Sequence, residues 1–119
     1  MILSDNTDQN DHKPDFSDID SIEKAVNMSK DNLLEPLYMM PLRFGGKAAA
    51  ENTLYVPIGV SQIKESIDNI VEELLIDKLV SGYKCDIKYK EKSVIPSEIK
   101  IVASDSEGTE VFAPVINIW

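Results

Sequence analysis

Apolar residues recur at Ile63, Ile67, Ile70, Val71, Leu74, Leu75 and Leu79. This is the i, i+3, i+4, i+7 spacing of an amphipathic helix, and it predicts one long helix over Ser61–Gly82. Ser61 is the expected N-cap, since its hydroxyl can satisfy an orphan N–H of the first turn. Gly82 is the expected residue after the helix, since glycine turns left-handed without a Cβ penalty. Such a helix spans about 30 Å, enough to cross one face of a small sheet. Its polar side carries Glu65, Asp68, Glu72, Glu73 and Asp77 against Lys64 and Lys78, and is expected to face water.

The period changes on either side of this stretch. After Gly82, Tyr83, Cys85, Ile87 and Tyr89 alternate with Lys84, Asp86, Lys88 and Lys90, the period of two of a half-buried strand. Pro96 precedes a second alternating run with Ile99, Ile101 and Ala103 inward. Asp105-Ser106-Glu107-Gly108 has the composition of a hairpin connection. A last strand is expected from Val111 to Trp119, with Pro114 marking an edge or a bulge. Upstream, Leu54–Ile58 reads as a short strand. Pro36 and Pro41 hold Leu33–Phe44 extended, at an edge or broken into two pieces. Gly45-Gly46 marks a turn, and Lys47–Asn52 a loop or short helical turn. Ser17-Asp18-Ile19-Asp20 resembles a helix start, so Ile19, Ile22, Val26 and Met28 predict a short helix over about 18–29.

These elements predict an α+β fold: an antiparallel sheet of about four to five strands, one long helix packed on a face, and a short N-terminal helix. Residues 1–16 read as a flexible acidic tail, too poor in apolar groups to offset the entropy of ordering. Residues 17–119 read as a single domain, large enough to bury a core without disulfides or a structural metal. Neither repeats nor low-complexity tracts interrupt it.

Charge adds a second layer. The 119 residues carry 21 acids and 12 lysines and arginines, a formal net charge of −9. The first 35 residues contribute −6 and the remainder −3. Negative surfaces repel nucleic-acid phosphate and favour encounter with basic partners; acidity also keeps a small protein soluble. The smaller set of lysines at 84, 88, 90, 92 and 100 can pair with acids across the sheet, so direct nucleic-acid binding is not expected. The start of the chain lacks the basic and apolar regions of a signal peptide, and no run approaches a membrane span. With Cys85 the single cysteine, no bridge can form within the chain. A cytoplasmic setting without membrane association is the expectation.

Little in the chain suggests catalysis. His12 is the single histidine and lies in the expected tail. Cys85 falls on the inward side of a strand, where a cysteine usually acts as a small hydrophobe. One cysteine and one histidine cannot supply a zinc site. The 105–108 loop lacks the spacing of a calcium loop, and Phe44-Gly45-Gly46-Lys47 lacks the frame of a phosphate loop. No catalytic residue, cofactor or metal is therefore expected. Two readings fit the acidic helix face: a solvated surface, or a docking strip for a basic partner made by Glu65, Asp68, Glu72, Glu73 and Asp77. Tyr38, Tyr55, Tyr89 and Trp119 are the large side chains available as apolar anchors.

The strings LEPLYMMPLRFGG, ENTLYVP and the terminal INIW, within Leu34–Trp119, resemble small bacterial immunity proteins of polymorphic or contact-dependent growth-inhibition toxin systems. The resemblance covers about 85 residues and excludes the acidic start. It implies a cytosolic protein that binds and neutralises a cognate toxin, often a nuclease, without catalysis of its own. The interacting surfaces of such pairs diverge, so the resemblance transfers no binding residue. An adaptor subunit of a larger assembly and a small carboxylate-dependent enzyme are the alternatives from other classes.

Overall fold

The computed structural model describes residues 14–119. The expectations for His12 and most of the acidic tail concern residues outside that range. The elements run α1 (Ile22–Lys30), β1 (Leu34–Tyr38), β2 (Thr53–Pro57), α2 (Val60–Ile76), β3 (Gly82–Tyr89), β4 (Pro96–Ser104), β5 (Glu110–Phe112) and β6 (Val115–Asn117), with 3-10 turns at Leu42–Phe44 and Ala50–Asn52. The class is α+β, as the sequence predicts. The strands divide between two antiparallel sheets: β1 with β2, and a four-stranded sheet in which β3, β5 and β6 all pair with β4.

Proline placement accounts for much of this division. Pro36 lies opposite Tyr55 in the two-stranded sheet, where its missing N–H leaves no ladder bond unmade on a central strand. Pro41 ends the extended run, and the next three residues form a 3-10 turn. Asn52 ties off the loop that follows: its side chain accepts from Met40 N and donates to the carbonyls of Met40 and Lys47. A Cβ on Gly46 would lie 1.9 Å from the Met40 carbonyl oxygen, so this glycine serves close backbone approach. The last strand is split at Ala113-Pro114. Pro114 cannot donate, but its carbonyl accepts from Ile101 N at 3.0 Å, and β5 and β6 flank it on the same edge of β4.

The main core lies between α2 and the two sheets. Val56, Val71, Ile99, Ile101, Ala103 and Ile116 form its centre, so the inward alternation expected for β4 holds. A second cluster of Ile19, Ala25, Leu34 and Ile95 sits beneath α1. Trp119 closes it, donating from Nε1 to the Ile95 carbonyl at 3.1 Å and meeting the edge of Phe16 at 5.7 Å. Phe16, at the expected end of the tail, is thus part of this packing. The helix start falls later than expected, at Ser21, whose hydroxyl accepts from Lys24 N. In this helix Ile22, expected on the apolar stripe, faces outward, and Ala25 is buried.

Three corrections apply to the long helix. It has 17 residues and ends at Ile76, leaving Leu79 exposed beyond it. Its N-terminus is not capped by Ser61: Gly59 takes the cap position, and the Glu35 carboxylate of β1 accepts from both Gly59 N and Ser61 N at 3.0 Å. A carboxylate from a neighbouring strand therefore satisfies the orphan donors and complements the positive end of the helix dipole. At the other end Lys78, with φ 62°, takes the left-handed position expected of Gly82. Leu79 N donates to the Leu74 carbonyl and Lys78 N to that of Leu75, the bond pair of a Schellman motif. Gly82 instead opens β3.

Candidate functional site

The largest departure from the sequence pattern is the rotation of α2 about its axis. Val60, Lys64, Asp68 and Val71 are its buried residues. Ile63 and Ile70, expected in the core, remain 52% and 47% exposed. Asp68, expected on the water-facing strip, is only 3% exposed, as is Lys64. The strip of five acids is therefore not one surface.

A polar cluster on the inner face of β3 accompanies this rotation. Lys64 Nζ donates to Asp68 Oδ2 at 2.7 Å and to the Tyr83 hydroxyl oxygen at 2.9 Å. The Tyr83 hydroxyl donates to Asp68 Oδ1 at 2.6 Å, and the Cys85 thiol donates to the Met39 carbonyl at 3.2 Å. Such charge-assisted bonds are what make a buried ion pair tolerable. Among the described residues no buried side-chain polar atom lacks a partner. Burial, then the bond to Asp68, pushes the Tyr83 phenol far above its ordinary value. Burial also raises the Cys85 thiol despite the lowering influence of Lys64. Both groups are held neutral: a poor base and a poor nucleophile. A cleft of about 250 Å³ between β1 and α2 touches Lys64 and Asp68, whose strongest bonds are to each other and to Tyr83. The cluster's chemistry is that of a core clamp. Among the described residues no group of three His, Cys, Asp or Glu side chains is placed to hold a metal ion.

The other four strip acids lie at the surface in two different settings. Arg43, from the turn after β1, donates to Glu65 at 2.8 Å and to Asn69 at 2.9 Å, and lies 3.8 Å from Glu72. One guanidinium thus bridges two successive turns of α2 and partly neutralises Glu65 and Glu72. Glu73 and Asp77 are exposed, and neither forms an ion pair among the described residues. Both lie at the C-terminal end of α2, which has no base in its last turn. Acids there oppose the helix dipole. Their potential extends outward beside Ile70 rather than being cancelled within the fold, although Lys78 follows directly.

The four expected aromatic anchors separate as well. Trp119 is committed to the second core. Ile22, Thr53 and Tyr55 line two adjoining grooves of about 290 and about 350 Å³, with Tyr89 bordering the first and Tyr38 the second. These grooves lie around α1 and β2, and among the described residues no charged side chain lines them. No sequence signal places these three tyrosines together, because their proximity depends on how α1, β1 and the β3–β4 turn meet.

No helix among the described residues is long and apolar enough to cross a membrane. The chain matches no family model, no curated protein and no solved structure.

Proposed function

We propose that this protein is a non-catalytic binding module: an immunity protein that binds a cognate basic toxin, such as a nuclease, and neutralises it by covering its active site or substrate surface. The observation that carries the reading is the outward side of α2, where half-exposed Ile63 and Ile70 adjoin Glu73 and Asp77, two exposed acids without an ion pair among the described residues. Apolar side chains in the middle of an interface supply affinity, and charges at its rim set encounter rate and partner choice. A net charge of −9 adds long-range attraction for a basic cleft that has evolved to grip phosphate. The neutral, raised-pKa states of Tyr83 and Cys85 weigh against a phenol or thiol nucleophile, and the commitment of the buried Asp68 carboxylate to Lys64 and Tyr83 weighs against the small carboxylate-enzyme reading. The adaptor reading shares the exposed apolar groups, and is separated from the first by what the partner does.

The test is recovery of partners with the tagged full-length chain from the cells that encode it, washed at low and then high salt. The expected result is one basic protein, released by salt, whose toxicity is silenced in the complex. Recovery of a multi-subunit assembly without toxic activity would replace this reading with the adaptor one.

A further inference from the structure

Along α2, Ile63, Ile67, Ile70 and Leu74 follow one another at intervals of four, three and four residues, the a/d spacing along which two helices interlock. In a helix folded wholly into its own core this seam would be closed. Here Ile67 and Leu74 lean into the main core while Ile63 and Ile70 stand half in solvent. Ser66 and Glu73 border the seam on its solvent side, at helical positions that flank an a/d line, and Asp77, the C-cap, stands where the seam line leaves the helix. The seam covers three turns, about 16 Å of helix, and its flank is negative at one end.

Resting on the binding role proposed above, we infer that this seam receives an amphipathic helix of the partner, apolar at its own a and d positions and carrying Lys or Arg opposite Glu73 and Asp77. Charge selects this occupant over two others. A second copy of the chain brings at most one exposed cation to this end: set antiparallel it places Gln62 and Ser66 near Glu73 and Asp77, and set parallel it meets the two acids with Lys78 alone. An anionic lipid surface is repelled by the same two carboxylates. A basic amphipathic helix closes the seam and gives each acid a partner.

The probe is a synthetic 18-residue helical peptide with Leu at a and d positions and Lys at the flanks. A matched peptide carries Glu for Lys. Each is titrated into the isotope-labelled full-length protein while backbone amide shifts are followed. The Lys peptide is expected to perturb Ile63, Ile70, Glu73 and Asp77 together, and to bind at least tenfold more tightly than the Glu peptide. Ile63→Ser with Ile70→Ser should abolish the perturbation. Glu73→Lys with Asp77→Lys acts through exposed side chains, so it keeps the fold; it should reverse the preference between the peptides. Perturbation of the Tyr38–Tyr55 groove instead, no binding at all, or an unchanged preference after the charge reversal overturns the inference. A concentration-dependent dimer dissociated by Ile63→Ser would make a second copy the occupant. Because the peptide needs no toxin, failure here leaves the neutralising role to be judged by the partner's activity.

Discussion

Replacing Asp68 by alanine removes the carboxylate that takes both the Lys64 ammonium, at 2.7 Å, and the Tyr83 hydroxyl, at 2.6 Å. What remains is an ammonium in a site that is almost closed to water, with only the phenol oxygen beside it. Breaking a buried pair from one side costs about 3–5 kcal/mol, because the surviving charge has lost both its solvent and its counter-ion. Against a total stability of about 5–15 kcal/mol for a domain of this kind, that is a large fraction. At about 4 °C per kcal/mol it lowers the melting temperature by about 12–20 °C. Lys64→Met alone should cost a similar amount by stranding Asp68. The triple change Lys64→Met, Asp68→Leu, Tyr83→Phe leaves no polar group orphaned and should recover most of the loss. Urea denaturation with linear extrapolation reads each value, and an unchanged slope shows that the comparison is between like transitions. Single variants within about 1 kcal/mol of the parent would refute the reasoning, since they would mean that Asp68 is solvated and α2 turned the other way. Charge reversal at Asp68 is accordingly a test of folding, while reversal at Glu73 or Asp77 is a test of docking.

Other consequences follow from the ends of α2 and from β3. Glu35→Ala should destabilise the fold by about 1–2 kcal/mol through loss of the helix cap, read by the same urea curves; no change would show that water replaces the carboxylate. Lys78→Gly should stabilise by about 0.5–1 kcal/mol, because a lysine at φ 62° bears a Cβ strain that glycine lacks; a loss of stability would contradict the assigned motif. Cys85 and Tyr83 are both raised above their ordinary values of 9.0 and 10.0, so the unfolded chain loses these protons first. Their contribution is complete below about pH 9 and declines as pH rises further. Stability measured at pH 7, 9 and 10.5 should therefore fall, and Cys85→Ala should flatten the part of the fall that begins near pH 9. Equal slopes with and without the thiol would contradict its assignment as a neutral buried group.

The elements legible in the sequence are those whose pattern is local. Ile99, Ile101 and Ala103 alternate on a strand flanked on both edges and are all buried as their period predicts, while Val102 on the other face is buried as well. Pro36, Pro41 and Pro114 act on their own backbone groups: Pro36 is held within a two-stranded sheet, Pro41 ends the extended run, and Pro114 separates β5 from β6. The rotation of α2 is a different kind of fact. Its apolar residues cover a sector wider than one packed face, and periodicity cannot choose which part of that sector turns inward. The deciding groups, Tyr83 and Cys85 on β3 and the Met39 carbonyl, come from other elements. Lys64 and Asp68 are spaced i, i+4, which in sequence reads as an ordinary surface pair. Glu35 caps Ser61 from 26 residues away, beyond any local signal. Five acids expected on one helix face thus became a core clamp at Asp68, an arginine-bridged pair at Glu65 and Glu72, and two exposed charges, Glu73 and the C-cap Asp77, without an ion pair among the described residues.

The binding role is tested most directly by titrating the purified full-length chain into the toxic activity of its recovered basic partner, at low and at high salt. Silencing at one chain per partner, with weaker inhibition at high salt, is the expected result. Full toxic activity in a complex that remains stoichiometrically assembled would contradict it.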